Sequence, residues 1–276
     1  MIWKTRRHQI DLRQGSVVMG ILNATPDSFS DGGDYGSISQ ALDRAMEMIS
    51  EGARIIDVGG ESTRPGADPV DTTEEIKRTA PLIHALREQS DALISIDTSK
   101  PEVAEAAIEA GADIVNDVTG LRNDVMVKVC ANHGVGVCVM HMQGEPRTMQ
   151  VNPCYDDAGG VVPAVKAFFA ERLHALQESG IDPEHICFDP GIGFGKTYEH
   201  NLELLRDLAS LQEQRPVLLG VSRKSFIGQL TGEQNPAMRD RATAVITALS
   251  CKNHIGIHRV HDVRGAIEAI RIAESL

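Results

Sequence analysis

Polar side chains follow eight short apolar runs, at the points where those runs end. A single residue of this kind could be an ordinary solvated loop residue. Because the same ending recurs after all eight runs, we interpret these residues as parts of one site. In chain order they are Asn23, Asp57, Asp97, Asn116 with Asp117, His141, Asp189, Ser222 to Ser225, and Arg259 with His261.

Four of these residues form a mixed set of hydrogen-bond donors and acceptors: Asp97, Asn116, Asp189 and Lys224. Carboxylates accept from neighbouring N–H groups, and a lysine donates to a carbonyl oxygen. A flat heterocycle with an amide–amidine edge offers the matching groups. The alternative for Asp97 and Asp189 is loop capping, in which each carboxylate accepts from backbone N–H groups of the turn that follows it.

A second set is cationic and consists of Arg64, Arg259 and His261, with Asn23 as an oxygen ligand. This set favours a phosphate-bearing ligand, and a Mg²⁺ ion held by one amide oxygen and substrate phosphates also fits it. A surface salt bridge remains the alternative for Arg64. His258 and His261 are expected to face opposite sides of a strand, so we do not interpret them as a metal-binding pair.

The elements that must position these residues alternate between strands and helices. Apolar runs rich in β-branched residues predict strands at 17–22, 54–59, 93–97, 114–118, 135–141, 186–189, 217–222 and 255–261. The intervening segments predict helices at 38–51, 72–87, 101–110, 124–132, 164–179, 199–214, 225–231, 238–252 and 263–274. Eight strand–helix units in a chain of 276 residues indicate an α/β protein with a (β/α)₈ TIM barrel, and a doubly wound open sheet is the alternative.

The barrel interpretation also explains why the polar residues follow the strands. In this fold the active site lies at the carboxyl ends of the strands, and loops near the last two strands often bind phosphate. No shift in composition marks a linker. We therefore expect a single domain over 1–276, with 1–16 as an N-terminal hairpin or lid.

One glycine-rich segment resembles a nucleotide-binding P-loop without fitting its pattern. The segment reads Gly191-Ile-Gly-Phe-Gly-Lys-Thr. A P-loop requires glycine five residues before the final glycine of the motif, and that position is Pro190. We therefore do not predict nucleotide binding here. The sequence also has no zinc-type spacing of cysteines.

The composition argues against several partners. The net charge of −12, from 39 acidic and 27 basic residues, disfavours nucleic acid and anionic membrane surfaces. No apolar run approaches the roughly 20 residues that a membrane-spanning helix needs. The five cysteines are scattered and odd in number, which is typical of reduced thiols in a cytoplasmic protein.

The motifs at the site positions resemble those of the dihydropteroate synthases, pterin-binding barrel enzymes of folate biosynthesis that sulfonamides target. The resemblance runs from about Gly15 to the C-terminus. It rests on Asn23-Ala-Thr-Pro-Asp-Ser-Phe-Ser-Asp-Gly-Gly, Ile56-Asp-Val-Gly-Gly-Glu-Ser-Thr-Arg-Pro-Gly, Ser95-Ile-Asp-Thr, Asn116-Asp-Val, Met140-His-Met-Gln-Gly, Phe188-Asp-Pro-Gly-Ile-Gly-Phe-Gly-Lys, Ser222-Arg-Lys-Ser and Arg259-Val-His-Asp-Val.

The resemblance implies the condensation of (7,8-dihydropterin-6-yl)methyl diphosphate with 4-aminobenzoate, a transferase reaction that releases diphosphate. It implies that the pterin is bound by Asp97, Asn116, Asp189 and Lys224. It implies Mg²⁺ at Asn23, and Thr63, Arg259 and His261 at the diphosphate. It implies a 4-aminobenzoate pocket of Phe29, Thr63, Arg64, Pro65, Lys224 and Ser225. It further implies a homodimer and leaves the role of Asp57 open.

Two alternative functions share part of this pattern. Pterin-binding barrels that transfer methyl groups to a corrinoid use the same acid–Asn–acid set, but they need neither Arg259 and His261 nor the Ser222-Arg-Lys-Ser motif. A non-catalytic pterin-binding protein would not need the loop residues 29–33 and 63–66. The presence of all of these residues favours the synthase.

Overall fold

Eight parallel strands form the centre of the molecule in this computed structural model, which describes residues 1–24, 33–62, 68–145 and 148–276, with 33–37 described by backbone alone. The strands are β3 (Val17–Asn23), β4 (Ile55–Gly59), β5 (Leu93–Asp97), β6 (Ile114–Asp117), β7 (Gly136–Met140), β8 (Ile186–Asp189), β9 (Leu218–Leu219) and β10 (Ile257–Val260). They pair in the order β8-β7-β6-β5-β4-β3-β10-β9. A parallel bridge between Phe188 and Val217 joins the two edges, so the sheet closes into a barrel.

Nine helices are present in the described ranges and surround the barrel. They are α1 (Gly33–Glu51), α2 (Thr72–Gln89), α3 (Pro101–Ala110), α4 (Asp124–His133), α5 (Val161–Glu178), α6 (Tyr198–Arg206), α7 (Ser225–Thr231), α8 (Asp240–Lys252) and α9 (Val263–Ser275). Side chains cap several of them: Asp71 accepts from Thr73 N at 2.9 Å, and Asn123 accepts from Val125 N at 2.8 Å. Residues of the central strands are almost all buried because helices cover the outer face of the sheet and side chains fill its interior.

A short antiparallel hairpin of β1 (Ile2–Lys4) and β2 (Gln9–Asp11) closes the amino-terminal end of the barrel. Trp3 is fully buried there, and its indole N–H donates to His185 O at 2.9 Å. It packs in one apolar cluster with residues from the strands, including Ile55, Leu93, Ile114, Cys138, Cys187 and Ile257. The hairpin predicted for 1–16 is therefore present, and it lies opposite the carboxyl ends of the strands rather than over them as a lid.

The predicted barrel is confirmed, whereas several element boundaries differ from the sequence expectation. Helix α1 begins at 33 rather than 38, and α5 begins at 161, directly after Gly160. The helix expected over 199–214 ends at Arg206 and continues as a 3₁₀ turn over Leu208–Gln212. Strand β9 has two residues where six were expected, because the chain leaves the sheet soon after the closing bridge. No helix within the described ranges is long and apolar enough to cross a membrane.

Candidate active site

Arg259 joins two buried carboxylates at the carboxyl-terminal half of the barrel. Its Nε donates to Asp57 Oδ2 at 2.6 Å and its Nη2 donates to Asp97 Oδ2 at 2.5 Å. Asn116 Nδ2 donates to the same oxygen of Asp57 at 3.2 Å. Strand register explains this arrangement, since Gly59 pairs with Asp97 and Asp97 pairs with Asn116 on adjacent strands. Four strands thus contribute to one polar cluster, which we call the arginine cluster: Asp57, Asp97, Asn116 and Arg259.

The arginine cluster has two acids for one strong cation. Asp57 is fully buried and Asp97 nearly so, and the Oδ1 atom of each has no hydrogen-bond partner among the residues described. Burial raises the pKa of Asp97 to about 7, although Arg259 acts in the opposite direction. Burial alone would lower the pKa of Arg259, but Asp57 and Asp97 together raise that pKa above its usual value. Arg259 is therefore a permanent cation, and Asp97 Oδ1 is a buried acceptor that has no hydrogen-bond partner among the described residues.

Asp189 and Lys224 lie on the neighbouring strands and the loops that follow them. Asp189 Oδ1 accepts from Gly191 N at 2.7 Å, so one of its oxygens does cap the turn, as the alternative interpretation held. Lys224 Nζ donates to Ile192 O and lies 4.7 Å from the centre of the Phe194 ring. Burial raises the pKa of Asp189, with Lys224 opposing, and burial lowers the pKa of Lys224 to about 8, with Asp189 opposing.

The surroundings of Gly220 show that Asp189 and Lys224 lie next to the arginine cluster. A Cβ atom at Gly220 would lie 3.6 Å from Asp189 Oδ2 and 4.0 Å from Arg259 Cβ. Asp189 and Arg259 therefore flank the same small space. The structure thus brings together the four residues predicted to form a mixed donor–acceptor set, and it adds Asp57 and Arg259 to them.

The remaining predicted residues lie at the rim of the same face or outside the described ranges. Ser222 Oγ lies 2.8 Å from His261 Nδ1, which links the ends of β9 and β10. Asn23 ends β3 and is exposed, and Ser225 is exposed at the first position of α7. Phe29, Thr63, Arg64 and Pro65 fall outside the described residues.

The histidines follow the expected alternation, and the two predicted sets of residues are in contact with each other. His258 is buried on the outer face, with its Nε2 3.1 Å from Ile255 O, so it does not face the site with His261. Arg259 was grouped with the cations, and it contacts Asp97 of the mixed donor–acceptor set and Asp57, whose role the sequence left open. A buried guanidinium without a carboxylate partner would carry a large desolvation cost, which accounts for this placement.

Comparison with known proteins agrees with the residues gathered at this face. Residues 19–261 match the model of the pterin binding enzyme family. The chain is 46% identical to dihydropteroate synthase of Escherichia coli strain K12 over 261 residues, which cover 94% of this chain and 90% of that protein. The chain belongs to the dihydropteroate synthase family. It is therefore an enzyme of the transferase class in folate biosynthesis.

Solved structures of this family have the same fold over almost the whole chain. The dihydropteroate synthase of Yersinia pestis, solved with a sulfonamide drug complex, superimposes with a TM-score of 0.92 at 41% identity, covering 100% of this chain and 98% of that one. The enzyme of Xanthomonas albilineans, solved with 7,8-dihydropteroate, gives a TM-score of 0.89 at 37% identity over 100% and 98% of the two chains.

Two residues at the site of this family member have no role that their sequence positions alone predict. Asp57 was noted at the end of a predicted strand, but its contact with Arg259 joins residues 202 positions apart and depends on barrel closure. Phe194 lies in the glycine-rich segment that fails the P-loop pattern and belongs to one of the family motifs, but neither pattern gives the residue itself a role. An aromatic residue between two glycines in a loop after a strand is the one signal that pointed to it.

The residues that the structure describes offer few protein ligands for a metal ion. Within the described ranges, no group of three His, Cys, Asp or Glu side chains is placed to hold one. Asn23 presents an exposed amide at the carboxyl end of β3. A single amide oxygen suits Mg²⁺, which keeps most of its ligands as water and substrate phosphate oxygens.

Proposed function

We propose that this chain joins (7,8-dihydropterin-6-yl)methyl diphosphate to 4-aminobenzoate, giving 7,8-dihydropteroate and diphosphate. The observation that carries the proposal is the arginine cluster beside Asp189 and Lys224 at the carboxyl-terminal face of the barrel. The related enzyme of Xanthomonas albilineans was solved with 7,8-dihydropteroate, which is the product of this reaction.

The pterin ring would bind between these groups. Asp97 and Asp189 are acceptors for ring N–H and amino groups, and Lys224 is a donor for the ring carbonyl. Asn116 offers both an acceptor and a donor. Asp97 can accept through Oδ1 while Oδ2 remains bonded to Arg259, so the pterin need not displace the arginine.

Bond cleavage is assisted by charges that are already in place. The C–O bond to diphosphate breaks with its electron pair going to the leaving oxygen, and the methylene carbon gains positive charge that spreads into the pterin ring. The anionic carboxylates of Asp97 and Asp189 stabilise that charge. The amine nitrogen of 4-aminobenzoate then forms the C–N bond, and its proton leaves to water or to diphosphate.

Three further assignments belong to the same proposal. Thr63, Arg259 and His261 would contact the diphosphate, and the aminobenzoate pocket would comprise Phe29, Thr63, Arg64, Pro65, Lys224 and Ser225. Asn23 would hold Mg²⁺. The ion supplies Lewis-acid stabilisation of the departing diphosphate when it is bound.

We also propose a cytoplasmic homodimer. All five cysteines are free thiols, as expected in a reducing compartment. Val245 and Leu249 on α8 and Ile272 on α9 are about 60% exposed, and they form apolar surface on two adjacent helices away from the site. Sedimentation of the purified chain tests the assembly, because a monomer at micromolar concentration contradicts it.

A diphosphate-release assay tests the reaction. We expect release that requires both the pterin substrate and 4-aminobenzoate and that falls when Mg²⁺ is chelated. Asp189→Asn is expected to reduce pterin binding strongly, with the exposed Asp43→Asn on α1 as the matched control. Release at the same rate without 4-aminobenzoate would contradict a synthase. Methyl transfer to a corrinoid in place of diphosphate release would support the alternative function.

A further inference from the structure

The glycine-rich segment 191–196, which failed as a P-loop, packs backbone to backbone against the loop that follows β7. A Cβ atom at Gly191 would lie 1.9 Å from His141 O, and one at Gly195 would lie 2.5 Å from Gln143 O. Both glycines have left-handed backbone conformations, with φ of 64° and 59°. The glycines therefore permit a close approach between two loops, which is a different role from cradling a phosphate.

Lys196 bonds these two loops together. Its side chain is buried, and its Nζ donates to Phe194 O at 3.0 Å, to His141 O at 3.3 Å and to His141 Nδ1 at 3.0 Å. Burial, together with the positive charge of Lys196, lowers the pKa of His141 to about 2, so the imidazole is neutral and Nδ1 is an acceptor. All three N–H groups of the ammonium therefore have acceptors.

The same segment supports the candidate site through other atoms. Gly191 N donates to Asp189 Oδ1 at 2.7 Å, and Ile192 O accepts from Lys224 Nζ. The Phe194 ring lies 4.7 Å from Lys224 Nζ. Asp189 and Lys224 are thus both held by the segment that Lys196 anchors.

We propose that Lys196 is a positioning residue for pterin binding, which acts by fixing the segment 191–194 that orients Asp189 and Lys224. The inference rests on the proposed function. Within the described ranges Lys196 forms no salt bridge with a carboxylate, and burial lowers its pKa to about 7 while Asp189 opposes that shift. A buried ammonium whose acceptors are two carbonyls and one imidazole is costly to fold. Lys196 contacts the segment 191–194 that orients the binding residues, and this role in binding would explain why a buried ammonium is present.

The test is Lys196→Met, which keeps the length of the side chain and removes its donors. The matched control is Lys166→Met, where Nζ forms a surface pair with Glu213 at 2.8 Å. We expect Lys196→Met to raise the dissociation constant of 6-hydroxymethyl-7,8-dihydropterin about tenfold, measured by calorimetry. Because the pterin is held in both the ground state and the transition state, KM for the pterin diphosphate should rise while kcat changes little.

A purely structural role predicts a different result. Partial unfolding would lower the active fraction and hence the apparent kcat, with KM and the dissociation constant unchanged, and that outcome overturns the proposal. Should Lys196→Met not fold, His141→Phe removes the imidazole acceptor, keeps the backbone carbonyl acceptor at position 141, and is expected to weaken pterin binding about threefold. Wild-type affinity in that variant would also overturn it. The proposed function is tested separately, because it fails if the unmodified chain binds no pterin or releases no diphosphate.

Discussion

At the scale of residues, the site depends on one guanidinium shared by two buried carboxylates. Arg259 bonds Asp57 through Nε and Asp97 through Nη2, so neither acid is an isolated buried charge. Asp57 also accepts from Asn116, which places it behind the groups expected to touch the pterin. We infer that Asp57 orients Arg259 and Asn116 and leaves Asp97 Oδ1 to the substrate.

The pKa shifts of Asp97 and Lys224 predict a bell-shaped pH dependence of pterin binding. Asp97 has a pKa of about 7, so its acceptor charge is lost as the pH falls below 7. Lys224 has a pKa of about 8, so its charged donor is lost as the pH rises above 8. Affinity should therefore peak between these values and fall by up to about tenfold per pH unit on each side.

Calorimetry with 6-hydroxymethyl-7,8-dihydropterin measures this profile without the titration of a substrate diphosphate. Lys224→Met should remove the part of the alkaline limb that Lys224 contributes and leave the acidic limb, whereas the loss of charge on Lys196, whose pKa burial lowers to about 7, should persist. An affinity that is constant from pH 6 to pH 9, or an alkaline limb that is unchanged in Lys224→Met, would show that these two groups do not govern binding.

Asp57→Asn tests the role assigned to the central acid. The variant keeps the size of the side chain but removes the charge that holds Arg259, so we expect kcat/KM for the pterin diphosphate to fall about 100-fold. The matched control is Asp113→Asn, because Asp113 is also fully buried and bonds Arg87 Nη2 at 2.5 Å, but lies at the other end of the barrel. The control should lose stability and keep its kinetic constants, and equal kinetic losses in both variants would contradict the assignment.

The residues of the site could be predicted from sequence more readily than their contacts. Asp97, Asn116 and Asp189 were predicted because each follows an apolar strand. The pairing of Arg259 with Asp57 could not be predicted, because it depends on how β10 and β4 face each other across β3 in the closed sheet. A buried arginine pairs with the carboxylates that the fold brings near it, and their separation along the sequence does not reveal which ones these are.

At the scale of elements, partly or fully buried cations hold the loops that follow the strands. Lys100, in the loop between β5 and α3, bonds Glu61, Glu75 Oε2 at 2.5 Å and Val70 O at 2.8 Å. It thereby fixes the loop after β4 on both sides of the segment 63–67, which itself is outside the described residues. Arg239 acts similarly for the loop after β9, donating to Arg223 O at 3.0 Å and to Gln234 O at 2.8 Å.

Lys100→Met is expected to destabilise the protein by about 3–5 kcal/mol, because it leaves the Glu75 carboxylate buried without its cation. Urea denaturation followed by circular dichroism measures the free energy of unfolding. The exposed Lys128→Met on α4 is the control and should change that value by less than about 0.5 kcal/mol. Equal midpoints for the two variants would mean that Glu75 does not depend on Lys100.

The sequence predicted which segments are helices and which are strands more accurately than it predicted where those elements begin and end. The amphipathic pattern continues past Arg206, which is why a helix was expected up to 214, but the chain turns into a 3₁₀ segment after Asp207. Gly160 precedes α5 with a φ of 116°, a conformation that the sequence alone did not reveal. These ends depend on packing against neighbouring helices, which a local pattern does not contain.

At the scale of the whole molecule, the residues that close and stabilise the barrel lie at one end, and the residues of the candidate active site lie at the other. The amino-terminal end is closed by the hairpin, by Trp3 and by Asp113, which bonds both Arg7 and Arg87. The carboxyl-terminal end carries the arginine cluster. Substitutions at the closed end should therefore affect folding without changing the kinetic constants of the folded protein.

Trp3→Ala tests this separation. Removing a fully buried indole should lower the free energy of unfolding by about 3–5 kcal/mol. The KM values for both substrates should remain unchanged in the folded protein. Circular dichroism measures the unfolding, since Trp3 is the only tryptophan and its fluorescence is lost. A changed KM for the pterin diphosphate would mean that the two ends of the barrel are coupled.

The barrel itself was predictable because eight apolar runs alternate with helical segments in a chain of suitable length. Its closure was not, since β9 pairs through only two residues with β10 and meets β8 through a single bridge. That short strand nevertheless leads to Lys224. The shortest of the eight barrel strands therefore leads to one of the principal residues of the site.

The most direct measurement is a crystal structure of the chain with 6-hydroxymethyl-7,8-dihydropterin. We predict that the ring lies within about 2.7–3.2 Å of Asp97, Asn116 and Asp189 polar atoms, with Arg259 still bonded to Asp57. A pterin bound at another face of the barrel, or one that contacts neither Asp97 nor Asp189, would contradict a pterin site beside the arginine cluster.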